Sequence, residues 1–86
     1  MTDSLAPAAG TITMYGADWC RDCRRTEALL NDLGVDWTKV DVEASADAAA
    51  QAQAISGRMN IPVVVFPDGS HLVEPSDDAV RAKLGV

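Results

Sequence analysis

The 86-residue sequence predicts a single α/β domain with its elements in the order β-α-β-α-β-β-α. Three observations carry that expectation. Short β-branched segments alternate with segments of helical periodicity. The only two cysteines, Cys20 and Cys23, stand as Cys-x-x-Cys where the first strand gives way to the first helix. A proline, Pro62, sits at the head of a later apolar strand, where its missing N–H costs the sheet nothing.

The elements follow in order. Met1 to Gly10, with Ser4, Pro7 and three alanines, lacks periodicity and is expected to be a mobile tail, leaving residues 11–86 as the domain. Thr11 to Tyr15 reads as a first strand. The helix expected over Cys20 to Leu33 puts Thr26, Leu29, Leu30 and Leu33 on one face and leaves Arg24, Arg25, Glu27 and Asn31 to solvent, with Gly34 as its stop. Val35 to Val42, with Trp37 in the sheet, should return parallel to the first strand. Ser45 caps a helix running to Ser56 and stopped by Gly57, burying mainly alanine and Ile55. Ile61 to Phe66 is a buried strand, and Pro67-Asp68-Gly69-Ser70 turns it into His71 to Glu74. Ser76 opens the last helix, with Val80 and Leu84 inward. The Ile61-Pro62 bond is predicted to be cis, because it coincides with the Cys-x-x-Cys pair.

The charge of −6, from thirteen acidic and seven basic residues, argues against nucleic acid and anionic membranes as partners. The N-terminus is too short and too polar for a signal peptide, and no apolar run approaches membrane-spanning length. The expected compartment is the cytoplasm, where a lone cysteine pair is more often catalytic or metal-binding than structural. Residues three apart on a helix share a face, so Cys20 and Cys23 can close a disulfide without refolding. As a staple so short a loop would contribute only about 2 kcal/mol. A helix start instead offers unpaired N–H groups and the positive end of the macrodipole, which together with Arg21 and Arg24 favour a thiolate at Cys20 against the opposing charge of Asp22. Cys20 is expected to be exposed and Cys23, one turn inward, buried. Trp19 is expected as a platform beside the reactive thiol, His71 as a surface residue, and neither Asp36 nor Asp41 as a proton acceptor for Cys23.

The order of elements, with Trp19-Cys20-x-x-Cys23, Ile61-Pro62, Asp68-Gly69 and Ser76-Asp77-Asp78, resembles the glutaredoxin branch of the thioredoxin superfamily over nearly the whole chain after the tail. Asp18-Trp19-Cys20, Pro67 to Ser70 and Glu74-Pro75-Ser76 look most like actinobacterial mycoredoxins. The resemblance implies a four-stranded mixed sheet in the order 2-1-3-4, flanked by three helices. It further implies reduction of mixed disulfides between proteins and a low-molecular-weight thiol, mycothiol or glutathione, with no tightly bound cofactor or metal and with an upstream thiol-disulfide reductase as partner. By the same resemblance Cys20 is the nucleophile and Cys23 the resolving thiol. Ile61, before cis Pro62, would pair by its backbone with the substrate, while Ser76 and Asp77 would hold its polar end; Trp19 and Arg21 flank the nucleophile. This chain departs from the family pattern in carrying Arg21-Asp22 between the cysteines, Met59 where a basic residue is common, and Glu74-Pro75 in place of Gly-Gly. The last of these, less open to a bound tripeptide's backbone, favours a thiol other than glutathione. Two other functions fit the same residues: an electron-donor redoxin for ribonucleotide reductase or protein disulfides, reduced by a flavoenzyme, and a dimer sharing an iron–sulfur cluster through Cys20. A monomer is the expected state.

Overall fold

The computed structural model describes residues 10–86, so the expected N-terminal tail lies, but for Gly10, outside the described residues. The elements are β1 (Ile12–Gly16), α1 (Arg21–Asp32), β2 (Trp37–Asp41), α2 (Ala46–Ser56), β3 (Val63–Val65), β4 (His71–Val73) and α3 (Asp77–Leu84). They form a four-stranded sheet in the order β2-β1-β3-β4, with β1 and β2 parallel and the other two pairings antiparallel. This is the thioredoxin-like fold the resemblance implied.

Alternation along the central strands divides the core. On β1, Ile12 and Met14 join Leu29 and Leu30 of α1 and Val80 of α3 on one side of the sheet. Tyr15, with Val63 and Val65 of β3, meets Ala48 and Ala52 of α2 on the other. That period of two is the pleat itself, and it fixes the pairing of Met14 with Val64 and of Tyr15 with Val63. The small side chains of α2 let it lie close to the sheet.

Local signals set the helix ends. Ser45 Oγ accepts from Ala48 N–H at 3.1 Å, and Ser76 Oγ accepts from Ala79 N–H at 3.1 Å, each satisfying one of the unpaired donors of a first turn. At the end of α1, Gly34 takes φ 69°, its N–H bonds Asn31 O and the N–H of Val35 reaches back to Leu30 O, a Schellman closure.

Two expectations are corrected. Cys20 caps α1 instead of beginning it. The strands are also trimmed or shifted: Val35 spends its N–H closing α1, so β2 starts at Trp37. Pro62 has no N–H to donate, and β3 starts after it.

Candidate active site

Cys20 has the extended backbone of an N-cap residue (φ −82°, ψ 114°), and its Sγ accepts the N–H of Cys23 at 3.2 Å. Sulfur thus takes the position usually filled by a serine or aspartate oxygen, where the positive end of the helix dipole points at it. The Cys20 carbonyl accepts from Arg24 N–H at 3.1 Å, so the helical ladder begins at this residue. The Ile61 carbonyl oxygen lies 4.0 Å from the same sulfur. The Ile61-Pro62 bond is cis, as predicted, and the Pro62 carbonyl accepts from Glu74 N–H at 2.8 Å.

The expectation that Cys20 is exposed does not hold: the residue is only 6% exposed. Its sulfur is folded back over the first turn of α1 by the capping bond and covered from the other side by the Ile61 segment. Access runs through an open cavity of about 360 Å³ lined by Trp19, Cys20, Arg21, Asp22, Met59, Asn60, Ile61 and Glu74. The structure therefore brings together Trp19, Cys20, Arg21 and Ile61 of the expected site residues, with Pro62 buried behind them. Trp19, 67% exposed, stands at the cavity lip. Ser76 and Asp77 are not among the lining residues; they follow Glu74 and Pro75 at the start of α3.

Cys23 is fully buried, in the core beneath the cavity. Burial pushes its thiol up to about 12, and the hydrogen bond with Cys20 adds to that, while a backbone bond from Ala17 opposes it. Gly16 is what makes room: a Cβ there would lie 2.9 Å from Cys23 Sγ and 3.2 Å from Cys23 Cβ. A glycine ending β1 beside the motif was the available sequence signal.

Several functional contacts were not legible in the sequence. Arg25, expected to face solvent, joins three segments: its guanidinium bonds Asp22 at 3.2 Å, donates to the Pro75 carbonyl at 3.1 Å and lies 3.5 Å from Asp77. Asp22, set against Cys20 in sequence reasoning, thus has its charge opposed by Arg25. Glu27, also expected in solvent, is half-buried and pairs with Lys39 of β2 at 3.0 Å. Lys39 also holds Asp18 at 2.6 Å, tying the segment before Cys20 to the sheet; these bonds keep the ammonium charged and pull the Asp18 carboxyl below its ordinary range. Glu74 lines the cavity from the left-handed region (φ 49°), rare for a residue with a Cβ, and accepts from Asn60 Nδ2 at 3.1 Å. Nothing in the sequence marked that conformation, since a residue before proline is normally extended.

Residues 12–72 match the glutaredoxin family model. A Mycobacterium tuberculosis protein named as a glutaredoxin is 36% identical over 74 residues, covering 85% of this chain and 88% of that protein. Mycoredoxin 1 of Corynebacterium glutamicum is 32% identical over 75 residues, covering 85% and 91%. Among solved structures, Methanosarcina acetivorans methanoredoxin superposes with a TM-score of 0.80 at 30% identity, over 90% of this chain and 86% of its own. The Archaeoglobus fulgidus glutaredoxin gives 0.78 at 25%, over 86% and 85%. With its thiol pair at Cys-x-x-Cys spacing on a thioredoxin-like sheet, this chain belongs to the glutaredoxin family, oxidoreductases that act on sulfur groups.

Proposed function

We propose that this protein reduces mixed disulfides between proteins and a low-molecular-weight thiol, with Cys20 as the attacking sulfur and Cys23 as the resolving thiol. The observation that carries the proposal is the Cys20 sulfur at the N-cap of α1, accepting a backbone N–H and opening onto a cavity edged by Arg21, Asp22, Asn60 and Glu74. The Cys20 thiolate attacks the small thiol's sulfur in the mixed disulfide, that S–S bond breaks, and the protein sulfur leaves as a thiolate and takes a proton. A second small thiolate then attacks the small-thiol sulfur now bound to Cys20. A disulfide of two small thiols departs, and Cys20 regains its electron pair. In this return step the Cys23 N–H that bonds Cys20 Sγ also receives the charge of the departing sulfur. Protonated Cys23 does not compete for the first attack, and can resolve a protein-linked disulfide by attacking Cys20 Sγ once it loses its proton.

Mycothiol is the proposed small thiol. The cavity wall carries the Glu74 carboxylate, which suits hydroxyl groups better than the carboxylates of glutathione. Arg21 borders the same space, and Ser76 and Asp77 at the start of α3 are proposed to receive the thiol's polar end. The setting is a reducing cytoplasm with an upstream reductase, and the protein acts as a monomer with residues 11–86 as its working domain. The test compares the Cys23→Ser variant on one protein carrying either mycothiol or glutathione in mixed disulfide. Faster turnover of the mycothiol adduct is expected; preference for glutathione, or no turnover of either, contradicts the proposal.

A further inference from the structure

Two carboxylates line the cavity over Cys20, and the fold holds them differently. Asp22 is answered by the Arg25 guanidinium at 3.2 Å. Glu74, on the segment before α3, accepts from the neutral amide of Asn60 at 3.1 Å and forms no ion pair among the described residues, so its charge is held in place but not neutralised. Its backbone is fixed as well. The φ of 49° is unfavourable for a residue with a Cβ, the more so before a proline, and the Glu74 N–H donates to the Pro62 carbonyl at 2.8 Å. Two bonds to the cis Pro62 loop thus set an anionic side chain at the cavity a small thiol must enter. Arg21 borders the same space from the exposed start of α1, where solvent and salt screen it and no bond among the described residues fixes its guanidinium.

We propose that Glu74 is a specificity-determining residue that selects the small thiol by charge, disfavouring thiols with a carboxylate close to the sulfur and accepting those that present a hydroxyl or an ammonium group. The inference rests on the small-thiol exchange proposed for Cys20 and deepens it. In that exchange the Cys20 thiolate bonds the small thiol's sulfur, the S–S bond to the protein partner breaks, and the partner leaves as a thiolate that takes a proton. The body of the small thiol therefore lies in the cavity during the attack and stays there until a second thiol arrives. Asn60 occupies Oε1 of Glu74, which leaves Oε2 to accept from a donor on that body. A carboxylate in the same place meets a fixed like charge. At the edge of a protein such a pair changes a rate by roughly tenfold.

The test uses one pentapeptide whose central cysteine is in mixed disulfide with cysteamine, 2-mercaptoethanol or 3-mercaptopropionate, so the small thiol is cationic, neutral or anionic while the leaving peptide stays the same. Release of the peptide thiol is followed, and each rate is divided by that of dithiothreitol on the same disulfide, which removes intrinsic reactivity. The unmodified protein is expected to take the cysteamine adduct roughly tenfold faster than the 3-mercaptopropionate adduct, with the 2-mercaptoethanol adduct between them. Glu74→Gln keeps the size of the side chain and an acceptor for Asn60, and is expected to raise the relative rate on the anionic adduct until the charge order is lost. Sodium chloride at about 1 M, where the screening length is about 3 Å, is expected to shrink the same order in the unmodified protein, which a steric role for Glu74 would not. Asp32→Asn removes a negative charge at the far end of α1 and is expected to leave the order intact. Equal relative rates on the three adducts, an order that survives Glu74→Gln or salt, or one lost as fully in Asp32→Asn overturns the inference. A faster anionic adduct assigns the selection to Arg21 and also overturns it. The salt arm decides the outcome even where Glu74→Gln fails to fold. Failure of the unmodified protein to release peptide from any adduct would instead remove the exchange at Cys20, and this inference with it.

Discussion

The Cys23 sulfur is packed against Gly16, and the backbone N–H of Cys23 donates to the Cys20 sulfur, which borders an open cavity. The same three-residue spacing therefore yields one thiol for attack and one held in reserve. The ordinary value for the Cys23 thiol is 9.0, and burial in the folded protein pushes it up to about 12. Between those values the unfolded state holds fewer protons, so stability falls as pH rises through the window, having been fully present below it. Urea midpoints between pH 9 and pH 11 are expected to fall more steeply for the native sequence than for Cys23→Ala, other titrations being common to both. Gly16→Ala is expected to cost about 1–3 kcal/mol, because the new methyl overlaps a fully buried side chain with nowhere to move. Urea unfolding checks it, and a neutral result would mean that the sulfur has space the packing denies it.

Helices here are positioned by single polar atoms at their ends. Ser45→Ala removes the oxygen that caps α2 and is expected to cost about 1 kcal/mol, read as a thermal midpoint lowered by about 4–8 °C. Such caps were legible because capping is local: Ser45, Gly57 and Ser76 act on residues within one turn of themselves. Cis Pro62 was legible for a different reason, its coincidence with the cysteine pair. The Arg25 bridge from Asp22 to Pro75 and Asp77 was not, since it joins residues 50 positions apart and no periodicity marks which exposed arginine has a partner in reach. The shelter over Cys20 escaped for the same reason. It comes from the Ile61 segment, which only the tertiary fold brings alongside.

Across the whole molecule, two thin cores share one sheet. A domain of this length has roughly 4–13 kcal/mol of stability to lose. Leu30 is fully buried between α1 and the sheet, and Leu30→Ala is expected to cost about 2–5 kcal/mol, leaving the chain near its folding margin in urea titration. The element order was readable from alternating β-branched and helical patterns; the strand limits were not, because apolar residues such as Ile61 and Phe66 flank a ladder without belonging to it. Assembly brings the N-terminus of α1, the cis Pro62 loop and the segment before α3 together at one side of the sheet, and the proposed chemistry depends on that meeting. The most direct measurement is the turnover of a protein–mycothiol mixed disulfide by Cys20→Ser and by Cys23→Ser. Abolished turnover in the first with turnover kept in the second is the predicted result; equal loss in both, or activity surviving without the sulfur of Cys20, would contradict it.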